Sequence, residues 1–181
     1  MNEEKYKELL ENYSSITNEF DDYTEMKVHL TYNEEPLPYS RPRFVRRGKR
    51  IGTYNEREDD MKKIRNHFQN SLSIEEKNLI YKIISNSEKN NYYVKVEGKF
   101  YIKIPKVASI KNHILMEKGI MRPTVHRGDV DNYIKLALDV LHEVVYDDDT
   151  HVTDIIAGKY YSDNPRTELD ITIYYNKKVI E

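Results

Sequence analysis

Two short acidic blocks hold the residues best suited to chemistry. They are Gly128-Asp129-Val130-Asp131-Asn132-Tyr133-Ile134-Lys135 and Tyr146-Asp147-Asp148-Asp149-Thr150. In an extended chain, Asp129 and Asp131 point the same way, because strand side chains repeat every two residues. Lys135 lies one helical turn beyond Asp131. Carboxylates gathered this way repel by ~1 kcal/mol per pair at ~4 Å in water, and by ~4 kcal/mol at an effective dielectric of ~20. A divalent cation removes that penalty. Magnesium takes hard oxygen ligands and keeps several waters, which suits a phosphate substrate and a water nucleophile. Lys135 then supplies positive charge where negative charge develops.

Each acid taken singly also has a structural reading. Asp131 is a good helix N-cap. Asp147 to Asp149 could form a solvated turn, and Lys135 could pair with Asp139 four residues on. His126 and His151 flank the two blocks and read as polar neighbours of a wet site. It is the combination that points to chemistry.

The elements that must position these groups follow from periodicity. Residues 2–12 read as a short helix with Leu9 and Leu10 as its apolar content. Residues 26–32 alternate, with Met26, Val28 and Leu30 on one face of a strand. Pro36 and Pro38 mark a loop. Asn55, with Glu58 in the manner of a capping box, opens a helix over 56–70 whose stripe is Met61, Ile64 and Phe68. Ser73 with Glu76 opens another, with Leu79, Ile80, Ile83 and Ile84 on its apolar face. Residues 92–104 alternate around Gly98 as a long strand or a hairpin, and 105–125 are ambiguous. Asp131 starts a helix with Ile134, Leu138 and Leu141 on one face. Strands at 151–161 and 168–175 flank the turn Asp163-Asn164-Pro165. The order predicts a single α/β (α+β) domain with a mixed β-sheet flanked by helices.

The net charge of −2 over 181 residues hides an asymmetry. Residues 1–25 carry eight acids against two lysines, a balance of −6 that leaves +4 for the rest. They read as an acidic N-terminal helical extension to a domain over 26–181. Arg41, Arg43, Arg46, Arg47, Lys49 and Arg50 place six cations in ten residues, a surface that would release counterions from DNA. Its plain alternative is a charged loop. Phe44 suits core packing as well as a wedge at a junction, and the sixteen tyrosines read first as strand formers. With no cysteine there is no disulfide, thiolate metal site or cysteine nucleophile. No apolar run nears the ~20 residues that span a bilayer, so the expectation is a soluble, cytoplasmic protein without a membrane partner.

Together these blocks resemble the RusA family of Holliday junction resolvases. The match is Asp129-x-Asp131-Asn132-x-x-Lys135, a helix, an aromatic and acidic run ending Asp148-Asp149, and a hydrophobic strand. Upstream, Arg41-Pro42-Arg43-Phe44 resembles the opening of that family. The resemblance implies a homodimeric, magnesium-dependent endonuclease, with manganese as a substitute, that nicks four-way DNA junctions in prokaryotic or phage recombination and repair. It implies Asp129, Asp131, Asp148 and Asp149 as metal ligands. Asp129, Asp131, Lys135 and Asp149 would be the catalytic set, and Lys159 resembles a further family lysine. Gly128 departs from a common proline, and Glu143 from a glycine region at the helix end. Nucleases for flaps or forks, and a non-catalytic DNA-binding module of the same fold, are the alternatives.

Overall fold

Alternation of apolar and polar side chains builds the sheet. The computed structural model describes residues 23–41, 43–47, 50–86, 92–124 and 128–179. Strand β1 (Tyr23–Tyr32) buries Met26, Val28, Leu30 and Tyr32, and begins three residues before the expected start at 26. Strand β4 (Tyr92–Lys103) buries Tyr92, Val94, Val96, Phe100 and Ile102, and β6 (Arg166–Asn176) buries Leu169, Ile171, Ile173 and Tyr175. With β5 (Val152–Ser162) they form a four-stranded sheet in the order β1-β6-β4-β5. The first three strands pair antiparallel, while β4 and β5 are parallel. A mixed sheet was expected, and this is one, within a single α+β domain.

Helices α1 (Glu58–Ser71), α2 (Ile74–Asn86) and α4 (Val130–Leu141) share one hydrophobic core with the buried residues of β1, β4 and β6. Helix α3 (Ile110–Glu117) packs on β5 and occupies part of the ambiguous stretch, capped by Ser109. The Ser73–Glu76 capping box forms as read. Ser73 N–H donates to Glu76 at 2.8 Å, and Glu76 N–H to Ser73 Oγ at 3.1 Å. The box expected at Asn55 and Glu58 does not. Asn55 Oδ1 instead accepts the Arg57 N–H at 3.0 Å in a local turn, and α1 starts at Glu58.

Residues 92–103 make one strand rather than a hairpin, and Gly98 has a packing reason. A Cβ there would lie 3.1 Å from Ile134 Cδ1 and from the Phe100 ring, so glycine lets α4 lie close on the sheet. The basic stretch is a separate antiparallel hairpin, β2 (Arg43–Arg47) with β3 (Arg50–Tyr54). A two-residue connection between Arg47 and Arg50 is a hairpin signal that the charges concealed. Of the acidic extension expected over 1–25, residues 1–22, including the helix read at 2–12, lie outside the described residues; Tyr23 to Glu25 belong to β1. No helix among the described residues is long and apolar enough to cross a membrane.

Candidate active site

Helix α4 and the turn that follows it carry the acids. Asp129, not Asp131, is the N-cap; its backbone is extended (φ −82°, ψ 150°) and its side chain makes no capping hydrogen bond. Asp131 sits in the first turn, and both carboxylates are exposed. The partial positive charge of a helix N-terminus favours anions there. Gly128 precedes them with φ +80°, a left-handed value that proline could not adopt. Lys159, from β5, donates to the Gly128 carbonyl at 2.5 Å and so pins the loop that presents Asp129.

Along α4 the exposed side continues with Lys135, whose Nζ lies 4.3 Å from the centroid of the Tyr39 ring. The next turn brings Asp139, which sequence reading saw only as an ion-pair partner for Lys135. It is half-buried, and burial pushes its carboxyl above the usual aspartate range. Lys135 opposes that shift, and the charge of Asp149 adds to it. Asp139 therefore links the stripe of α4 to the second acidic block. Its signal in the sequence was the spacing Asp131, Lys135, Asp139, which keeps one helix face.

The chain reverses after α4 at Glu143, whose φ of +65° explains the glycine preferred at such helix ends. Tyr146 is fully buried, and its hydroxyl donates to the Leu138 carbonyl at 2.7 Å. Burial, with the charges of Asp149 and Asp139, pushes that phenol up, so it stays a neutral donor. Arg65 of α1 donates to the Asp139 carbonyl at 2.8 Å and steadies the helix C-terminus.

The three acids of the run differ in their duties. Asp147 accepts the Tyr92 hydroxyl at 2.5 Å and serves structure. Asp148 Oδ1 accepts the Thr150 N–H at 2.9 Å; that bond holds its carboxyl below the usual aspartate range and caps a short 3-10 turn. Asp149 begins that turn and is exposed. His151 stacks on Tyr92 with centroids 3.9 Å apart, a packing role, and His126 lies outside the described residues. Replacing Tyr92 by Phe should cost about 1.5–3 kcal/mol, the range for a hydrogen bond to a charged group. Urea denaturation of the variant against the parent checks this.

Asp139, Asp148 and Asp149 share an open cleft of about 460 Å³ with Arg65, Leu138 and His142. Asp129 and Asp131 stand at the other end of the same helix and do not line it. Among the described residues, one group of three possible ligands lies within 4.8 Å of one another, and it is His113, Glu117 and Asp163. No three of Asp129, Asp131, Asp148 and Asp149 approach that closely. The proposed ligands thus flank α4 as two separated sets. Of the basic residues, Arg41 is exposed and Arg43 pairs with Glu56 at 3.0 Å. Arg46, Arg47 and Arg50 stand in the hairpin strands, and Lys49 lies outside the described residues.

Comparison with known proteins identifies the family. The family model for endodeoxyribonuclease RusA matches residues 33–172, which spans the hairpin, α4, the acidic turn and most of the sheet. The uncharacterized protein YqaN of Bacillus subtilis strain 168 is 41% identical over 80 residues, 43% of this chain. That match spans 56% of the relative, a little over half its length. The chain belongs to the RusA endodeoxyribonuclease family.

Proposed function

We propose that this chain is a magnesium-dependent endodeoxyribonuclease that hydrolyses phosphodiester bonds at four-way DNA junctions, acting in the cytoplasm during recombination and repair. The observation that carries the reading is the line Asp131, Lys135, Asp139 along α4, which ends against Asp149.

The donor set fits a hard divalent cation. All candidate ligands are carboxylates, and Asp129 has no capping duty. Asp129 with Asp131, and Asp148 with Asp149, would each offer hard oxygen ligands to magnesium, or to manganese in its place. When bound, the ion supplies charge neutralisation and eases deprotonation of an attacking water. The protein does the rest. Lys159 fixes the loop before Asp129, and Arg65 and Tyr146 fix the far end of α4. Lys135 stands between the two acid sets as the available cation for a phosphate that gains negative charge. Lys135→Gln should lower kcat by about 10²–10³-fold with little change in junction affinity; single-turnover kinetics and a binding assay separate the two.

Arg41, Arg43, Arg46, Arg47, Lys49 and Arg50 form the DNA-binding element in this reading. The hairpin register pairs the backbone of Arg47 with that of Arg50. A homodimer matches the twofold symmetry of a four-way junction. Edge strand β5 offers apolar surface for a second copy, with Ile155 and Ile156 each about half exposed. The deciding experiment incubates a synthetic four-way junction, and a fork for comparison, with magnesium or with chelator. Paired nicks across the junction only with magnesium are expected; cleavage that persists in chelator, or is confined to the fork, would overturn the reading.

A further inference from the structure

A lysine ammonium rides on a long flexible stem, so an exposed lysine is a poorly fixed charge unless something holds it. Lys135 is exposed on α4. Among the described residues no carboxylate pairs with it; its ammonium lies instead over the Tyr39 ring, 4.3 Å from the centroid. A ring face attracts a cation through its quadrupole and leaves the charge uncancelled. A carboxylate in that place would neutralise the lysine and compete with a phosphate for it.

Tyr39 is itself held at the start of α4. It belongs to the segment that follows β1, in which Pro36 is buried and Pro38 restricts the backbone. The Tyr39 N–H donates to the Asn132 carbonyl at 2.8 Å, one residue past Asp131. Pro38 packs on Gly128, where a Cβ would lie 3.0 Å from Pro38 Cβ and 3.3 Å from Pro38 Cγ. The segment therefore touches the chain on both sides of Asp129 and Asp131, and the Tyr39 ring comes with it. Arg41 stands two residues further on, and Arg43 opens the basic hairpin.

We propose that Tyr39 is a positioning residue for cleavage: its ring face steadies the Lys135 ammonium beside the carboxylates of α4, un-neutralised, until a DNA phosphate takes it up. The part played by Lys135 rests on the nuclease reading above. The ring carries the contact, so phenylalanine should serve in its place and an aliphatic side chain should not.

The test uses the full chain with its lysines carbon-13 labelled at Cε, as the parent and as Tyr39→Phe, Tyr39→Leu and Lys135→Gln. In a proton–carbon correlation spectrum the Lys135 signal is the one missing from Lys135→Gln. Through the ring current it should stand upfield of the other lysines in the parent and in Tyr39→Phe, and fall among them in Tyr39→Leu. On a synthetic four-way junction with magnesium, Tyr39→Leu should slow single-turnover cleavage about five- to thirtyfold, the range for an ion–ring contact, at unchanged junction affinity. Tyr39→Phe should restore the parent rate. In the Lys135→Gln background, Tyr39→Leu should slow nothing further, because the two residues act as one unit. An unmoved Lys135 signal in Tyr39→Leu would overturn the proposal, as would equal losses in the two Tyr39 variants or losses that multiply in the double variant. The spectrum is read without DNA or metal, so loss of the contact is distinct from failure of the nuclease reading, which a parent that does not cleave would show.

Discussion

Asp131→Asn is expected to lower the rate of junction cleavage by at least ~10²–10³-fold, as loss of a transition-state electrostatic contact does, while junction binding stays intact or tightens. The two effects have separate causes. Asp131 occupies the exposed first turn of α4, where a neutral amide of the same shape disturbs no packing. Removing its charge weakens the hold on a cation, and it also removes repulsion of ~1 kcal/mol toward a phosphate ~4 Å away in water, worth up to a fivefold gain in affinity. Gel-shift titration without metal, beside single-turnover cleavage with it, measures both. Unchanged cleavage by the variant would remove Asp131 from the site.

Leu141→Ala should destabilise the fold by about 2–5 kcal/mol, the range for truncating a buried leucine. Leu141 is fully buried as the last residue of α4, and its carbonyl accepts the N–H groups of Val144 and Val145 in the reversing turn. A cavity there loosens the platform from which Asp148 and Asp149 project. Urea denaturation followed by circular dichroism gives the stability change. Cleavage at saturating magnesium, well below the new melting temperature, shows whether the turn still holds its acids.

What was readable in the sequence was mostly what is local. The box at Ser73 and Glu76 needs only four neighbouring residues, and it forms. The box at Asn55 and Glu58 looked equivalent, but Asn55 spends its side-chain oxygen on Arg57, two residues on, and Arg57 pairs with Asp60 at 3.0 Å. The long strand around Gly98 could not be told from a hairpin, because the reason for that glycine is Ile134 on a distant helix. Asp129 and Asp131 were found by spacing, and the aspartate run by its density, yet their division of labour was hidden. Asp147 is committed to Tyr92, which lies 55 positions away. Asp139 was overlooked as a member of the site because only the returning turn brings Asp149 toward it.

The parallel pairing of β4 with β5 has a consequence for how the acids come together. Parallel neighbours need a crossover, and the 48 residues between Lys103 and Val152 supply it, carrying α3, α4 and both acidic blocks as one cassette. Closing a loop of that length costs on the order of 3 kcal/mol in chain entropy, and the antiparallel pairings of β6 with β4 and with β1 close still longer ones. Non-local closures of this kind slow folding. Because β5 is an edge strand, its fraying would release the hold of Lys159 on the loop before Asp129 while β1, β6 and β4 stayed paired.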